Sequence, residues 1–203
     1  VAIKYPNGKQ FTTGQMTHRQ HKPTNQAKRG MTLEEELNHA NAYYLATDRA
    51  VIHKKPTPIQ IVHVDYPARS AAKITEAYFR EASTTDYNGI YQGNYIDFDA
   101  KETANKNSFP LKNVHNHQVV HLKKVIEQGG LGFMVIRFSK RSETFVIWAQ
   151  LLFEYWDQQE QRKSIPYDVI VEQGEQILPS LNPALPYLDA IDQLLSQRKF
   201  KEY

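Results

Sequence analysis

The chain has 203 residues and a mass of 23.5 kDa, which suits one compact domain with an arm or insertion better than two full domains. Hydrophobic residues make up 40% of it and cysteine is absent, so one real core can form while disulfides, thiolate zinc sites and cysteine nucleophiles are excluded. No apolar run approaches the length of a membrane-spanning helix and no charged-then-apolar leader is evident, so a soluble cytoplasmic protein without membrane contact is expected.

The net charge is +3, but Lys4, Lys9, Arg19, Lys22, Lys28 and Arg29 place +6 in residues 1–33, which hold no acid, leaving −3 on the rest. Cations gathered this way release counterions from phosphates, so the asymmetry points to a nucleic acid, with a solubilising tail as the alternative.

Residues 1–29 are polar, carry Pro6, Gly8, Gly14 and Pro23, and show neither a helical nor a strand period. They read as a flexible basic arm that orders on binding. Residues 30–203 read as a single domain with an insertion around residues 62–83. A helix is predicted from Thr32, where Thr32 and Glu35 have capping-box spacing and Leu33, Leu37, Ala40 and Tyr44 share a face. Residues 49–54 are strand-like, Pro56 and Pro58 punctuate, and residues 59–64 alternate as a second strand. Residues 65–83 have few bulky apolar side chains and several cations, the composition of an excursion from the core. Asn88-Gly89 between two β-rich runs predicts the turn of a hairpin.

A helix is predicted over residues 115–128, with Val119, Leu122 and Ile126 inward and Gly129-Gly130 as its stop. Strands over 131–138 and 143–148, a short aromatic helix over 151–156 and proline-broken helices follow, the last near residues 187–196. Tyr43, Tyr44, Phe153, Tyr155 and Trp156 read as core or dimer-interface aromatics, although an exposed one could stack on a base. The order of elements is that of an α/β fold, a mixed sheet flanked by helices.

The chemistry centres on Asp86 and on Asp99-Ala100-Lys101, expected on consecutive strands of one hairpin. Side chains alternate along a strand, so Asp99 and Lys101 share a face, as do Thr84 and Asp86. Two carboxylates brought to one point repel unless a cation sits between them, and Mg²⁺ suits such oxygen ligands. The metal acidifies a water and polarises a phosphate, while the lysine holds that water or stabilises transition-state charge. Asp followed at a distance by (Asp/Glu)-x-Lys is the pattern of restriction-endonuclease-like nucleases; a solvated strand face with a surface lysine is the bland alternative.

Gln118 shares a helical face with Leu122 and Val125, which aims its amide at the sheet, although a capping or solvent-facing glutamine is the ordinary role. His117 and His121 have i, i+4 spacing, but no H-E-x-x-H motif supports zinc. Capping, solvation or a phosphate contact fits His115, His117 and His121 better.

Arg29-Gly30-Met31, the run from His53 to Val62, Ser83-Thr84-Thr85-Asp86-Tyr87, the run from Tyr95 to Thr103, the run from Ser108 to Lys112 and His117-Gln118 resemble, in order and over nearly the whole chain, the sequence blocks of the RecU family of Holliday junction resolvases. The resemblance implies a restriction-endonuclease-like core with a protruding stalk and a homodimer. It also implies symmetric nicking of four-way and other branched DNA in recombination and repair, with Mg²⁺ as cofactor and Mn²⁺ as substitute. Partners would include a branch-migration complex and a strand-exchange recombinase, and the setting would be the nucleoid.

The metal site would include Thr84, Asp86, Asp99 and Gln118, with Lys101 stabilising the transition state. Arg69 and Phe79 would contact the junction from the stalk, and Arg29, Lys54, Lys55, Lys73 and Arg80 complete the expected DNA-binding set. Related resolvases often carry a glutamate just after an Arg/Lys-Gly pair, which makes Glu34 an additional candidate beside its plain reading as a first-turn carboxylate. The family position matched by Asp99 is usually Glu, so the chain departs from the pattern there by one methylene. Two rivals stand beside the resolvase: a sequence-specific or repair endonuclease of the same superfamily, and a non-catalytic architectural DNA-binding protein.

Overall fold

The computed structural model describes residues 31–80 and 83–201; the expected basic arm, with Arg29, lies outside them. Helix α1 (Leu33–Ala46) begins at the capping box read from sequence: Glu35 N–H donates to Thr32 Oγ1 at 3.2 Å, and Thr32 N–H donates to Glu35 Oε2 at 2.8 Å. This satisfies two of the helix's unpaired N–H groups. Leu33, Leu37, Ala40 and Tyr44 form its buried stripe.

Strand β1 (Ala50–Lys54) follows, then β2 (Ile59–Asp65), β3 (Lys73–Phe79), β4 (Tyr87–Tyr91), β5 (Asn94–Thr103) and the short β6 (Ser108–Pro110). Helix α2 (Asn116–Glu127) leads into β7 (Leu131–Phe138) and β8 (Glu143–Trp148), then α3 (Ala149–Trp156), β9 (Ser164–Pro166), α4 (Tyr167–Gln173), β10 (Glu175–Gln176) and α5 (Tyr187–Lys201). The main sheet has the order β1-β4-β5-β7-β8-β10. Only β5 and β7 pair in parallel, because α2 provides the crossover that a parallel pair requires. All other neighbours are antiparallel.

Helices cover both faces of this mixed sheet. On one face Leu37 and Tyr44 of α1 and Tyr187 and Ile191 of α5 pack on Phe98 and Phe133. On the other, Val119 and Leu122 of α2 and Leu152 of α3 pack on Met134 and Ile136. Neighbouring residues of β7 therefore point into different cores, which explains why it reads as a nearly continuous apolar run.

One sequence expectation needs correction. The hairpin turn is not at Asn88-Gly89: both residues lie inside β4, and the turn is Gln92-Gly93, with φ of 49° and 77°. Gly89 is needed for space instead, since a Cβ there would lie 2.1 Å from the Val51 carbonyl oxygen of β1. The strand at residues 59–65 does not join the main sheet. It pairs only with β3, through an irregular register near His63, and the side chains of this ribbon are almost all exposed. Residues 59–79 thus form one two-stranded unit.

Candidate active site

Strand β5 alternates between two environments. Ile96 and Phe98 enter the core beneath α1 and α5. Tyr95, Asp97, Asp99 and Lys101 take the opposite face, toward α2. The β4–β5 register pairs Tyr87 with Phe98, so one further step sets Asp86 opposite Asp99. Asp86 is not in the strand, as sequence had placed it, but in the loop just before it. Its carbonyl accepts from Lys55 N–H at 2.7 Å.

The side chain of Asp99 is fully buried, while that of Asp86 is 46% exposed. The Lys101 ammonium contacts Asp99 Oδ2 and lies 3.9 Å from Asp86 Oδ2, so one cation bridges two carboxylates. Gln118, from the first turn of α2, donates from Nε2 to Asp99 Oδ1 at 3.0 Å and accepts His115 N–H on Oε1 at 3.0 Å. His115 thereby serves as the cap of α2, one of the roles read for it from sequence, and its ring stacks on that of His117.

Burial pushes the Asp99 carboxyl up to about 7; Lys101 opposes the rise and the charge of Asp86 adds to it. Asp99 Oδ2 makes no hydrogen bond of normal geometry despite its burial. Its contact there is the ion pair with the Lys101 ammonium. A buried oxygen in that condition is costly, and a cation between Asp86 and Asp99 would satisfy it. Among the described residues no group of three or more His, Cys, Asp or Glu converges on a metal position. The donor set would therefore be two carboxylates, neutral oxygens and water, which a hard cation that retains water accepts.

Thr84 is half-buried on the same loop, and its hydroxyl donates to the Thr85 carbonyl at 3.2 Å. Glu34 lines a shallow cleft of about 200 Å³ with Asp86, Tyr87, Ala100 and Glu102, and pairs with Lys54 at 2.5 Å. Burial raises the Tyr87 hydroxyl above its ordinary value, and the charges of Glu34, Asp86 and Asp99 add to the rise. Lys55, one of the expected DNA contacts, points inward. Its side chain is only 17% exposed and its Nζ sits 2.8 Å from the buried Asp97.

Lys73, Phe79 and Arg80 are exposed on the ribbon, with Phe79 at 83%. Arg69 falls in a 3-10 turn between its strands. Sequence reasoning did not single out Asp97 or Thr85, and it read His121 as a capping, solvated or phosphate-contacting residue rather than as a partner of Asp97. Their signal was the two-residue spacing of Asp97 from Asp99 on one strand face, and the helical i, i+3 spacing of Gln118 and His121.

The family model of RecU, Recombination protein U, matches residues 28–193. The chain belongs to the RecU family. A protein of Leuconostoc citreum (strain KM20) is 58% identical over 199 residues, covering 95% of this chain and 97% of its own. One of Limosilactobacillus reuteri (strain DSM 20016) is 55% identical over 203 residues, covering 98% and 100%. Both relatives bear the name Holliday junction resolvase RecU. Among solved structures, an Archaeoglobus fulgidus Holliday junction resolvase, Hjc, aligns with a TM-score of 0.40 and 9% identity over 67% of this chain and 92% of its own. The RecU match spans the ribbon, both carboxylates and Gln118 together.

Proposed function

We propose that this chain is a Holliday junction resolvase, a metal-dependent endonuclease that nicks four-way DNA junctions symmetrically in recombination and repair. The observation that carries the reading is the pairing of Asp86 with the buried Asp99 across the β4–β5 step, bridged by Lys101, in a chain of the RecU family. Mg²⁺, with Mn²⁺ as substitute, is the proposed cofactor; once bound it polarises the scissile phosphate and activates a water.

Asp86 and Asp99 would hold the ion, and Gln118 and Thr84 would complete its surroundings through neutral oxygens. Gln118 also fixes the carboxylate plane of Asp99 through its 3.0 Å hydrogen bond. Lys101 keeps a positive charge beside the reacting phosphate and so stabilises the transition state more than the ground state. Glu34, at the mouth of the cleft, would adjust the charge seen by the incoming strand.

The working unit proposed is a homodimer, because two sites related by a two-fold axis match two opposed strands of a junction. The β2–β3 ribbon is the proposed stalk. Its exposed Phe79, Lys73 and Arg80 would meet the junction centre, with Arg69 in the turn between its strands. Recognition would rest on shape and phosphate charge, aided by the arm with Arg29 and by Lys54. Contacts with a branch-migration complex and a strand-exchange recombinase, and a place at the nucleoid, belong to the same proposal. Among the described residues no helix is long and apolar enough to cross a membrane.

The test is cleavage of a synthetic four-way junction beside a linear duplex of the same sequence, with Mg²⁺ or with EDTA, and with Asp86→Asn as control. Paired nicks in the junction alone, lost with EDTA and in the variant while binding persists, are the expected result. Tight binding without cleavage, also under Mn²⁺, would overturn the enzyme and leave the architectural role.

A further inference from the structure

Asp97 is a second fully buried carboxylate on the same face of β5, one alternation before Asp99. Its Oδ1 accepts from the Thr85 hydroxyl. Its Oδ2 lies 2.8 Å from Lys55 Nζ, 2.9 Å from the Tyr95 hydroxyl and 2.9 Å from His121 Nε2. Lys55 Nζ also donates to Thr85 Oγ1 at 2.9 Å. Four segments therefore meet on one carboxylate: the end of β1, the loop before β4, β5 itself and α2.

A buried ion pair of this kind contributes little net stability, because desolvation offsets the attraction. What it does supply is a fixed geometry for the segments that it joins. The segment that needs fixing is the loop that carries Asp86. Residues 83–86 belong to no strand, and Asp86 projects a half-exposed side chain. Lys55 grips this loop twice, with Nζ on the Thr85 hydroxyl and with its backbone N–H on the Asp86 carbonyl. Asp97 holds Lys55 and Thr85 together from below and is joined to Asp99 through two peptide bonds of a paired strand. The path from one metal-site carboxylate to the other thus runs through Thr85, Lys55 and Asp97.

We propose that Thr85, Lys55 and Asp97 are positioning residues that set the Asp86 carboxylate against Asp99. The inference rests on the reading of Asp86 and Asp99 as the metal site. It does not require any of the three to touch DNA or metal. Lys55 would accordingly act in cleavage through Asp86 rather than as a phosphate contact.

The decisive variant is Thr85→Val, which keeps the shape and removes the hydroxyl, with Thr85→Ser as the conservative control. Each full-length variant is titrated with Mn²⁺ alone, followed by electron paramagnetic resonance, and its junction affinity is measured in EDTA. Thr85→Val should weaken Mn²⁺ binding by about 10- to 100-fold, the usual effect of losing a partner that orients a metal ligand. Its junction affinity in EDTA should stay within about twofold, cleavage should recover as Mn²⁺ is raised, and Thr85→Ser should lie within about threefold of the parent in Mn²⁺ affinity.

Parental Mn²⁺ affinity and cleavage in Thr85→Val, beside an inactive Asp86→Asn, would refute the positioning role and leave the site intact. Equal losses in Thr85→Val and Thr85→Ser with matching falls in melting temperature would also refute it, as a packing effect. Cleavage by Asp86→Asn would instead remove the site reading itself.

Discussion

Proton and metal should compete for Asp99. Burial raises this carboxyl from 3.8 to about 7, with Asp86 adding to the rise and Lys101 opposing it. A raised acid is protonated in the folded, metal-free protein at pH values where it is charged in the unfolded chain. Its contribution to stability is therefore full below the unfolded value of 3.8 and is lost as pH rises through about 7. A bound cation needs the charged form, so binding must expel the proton. Below the raised value each pH unit should weaken apparent metal affinity about tenfold, or about 1.4 kcal/mol.

Between about pH 8 and about pH 6 the loss should approach tenfold, and roughly one proton should be released per metal bound at the lower pH. Calorimetric titration of the DNA-free protein with Mn²⁺, in two buffers of different ionisation enthalpy, measures both quantities. In cleavage assays the acid limb should move to lower pH as Mg²⁺ is raised, and metal-free protein should melt lower on the alkaline side by this group's account. An affinity independent of pH across this window, with no proton uptake by buffer, would refute the reading of the buried Asp99 carboxylate as a metal ligand.

Gly89→Ala should destabilise the protein by about 2–4 kcal/mol, because the new methyl meets the Val51 carbonyl and forces β1 from β4; a melting temperature within error of the parent would contradict the close approach. Phe79→Ala should leave melting unchanged, since the side chain is 83% exposed, and should reduce junction cleavage while sparing duplex affinity. Equal losses on junction and duplex would separate the ribbon from junction recognition. Removing residues 1–28 takes away Lys4, Lys9, Arg19, Lys22 and Lys28 and should flatten the salt dependence of junction binding by up to about five phosphate contacts, with little change in melting. An unchanged salt slope would return the arm to a solubilising role.

Local and periodic features were legible without the fold. The Thr32 cap, the stripe from Leu33 to Tyr44, the stop at Gly129 and the limits of β7 and β8 all follow from near-neighbour sterics and period, and all are present. The proximity of Asp99 and Lys101 is equally local, because residues two apart on a strand must share a face. The misplaced hairpin turn shows where such reasoning fails. Asn88-Gly89 has the chemistry of a turn, but Gly89 is required by a backbone from another strand, a demand that neighbouring residues do not encode.

By itself, then, the sequence determined α1, α2, β7 and β8, the basic N-terminal composition, the carboxylate–lysine pattern and the family, because these depend on residue identity and short spacing. Only the tertiary structure decided that β2 and β3 form a ribbon apart from the main sheet. It also decided that Lys55 turns inward to Asp97 while Lys54 meets Glu34. The two lysines are adjacent and chemically alike, and their fates differ because one faces the interior beneath α2 and the other faces α1. Burial of Asp99, and with it the raised proton affinity on which metal binding should depend, likewise arises only when α2 closes over the sheet.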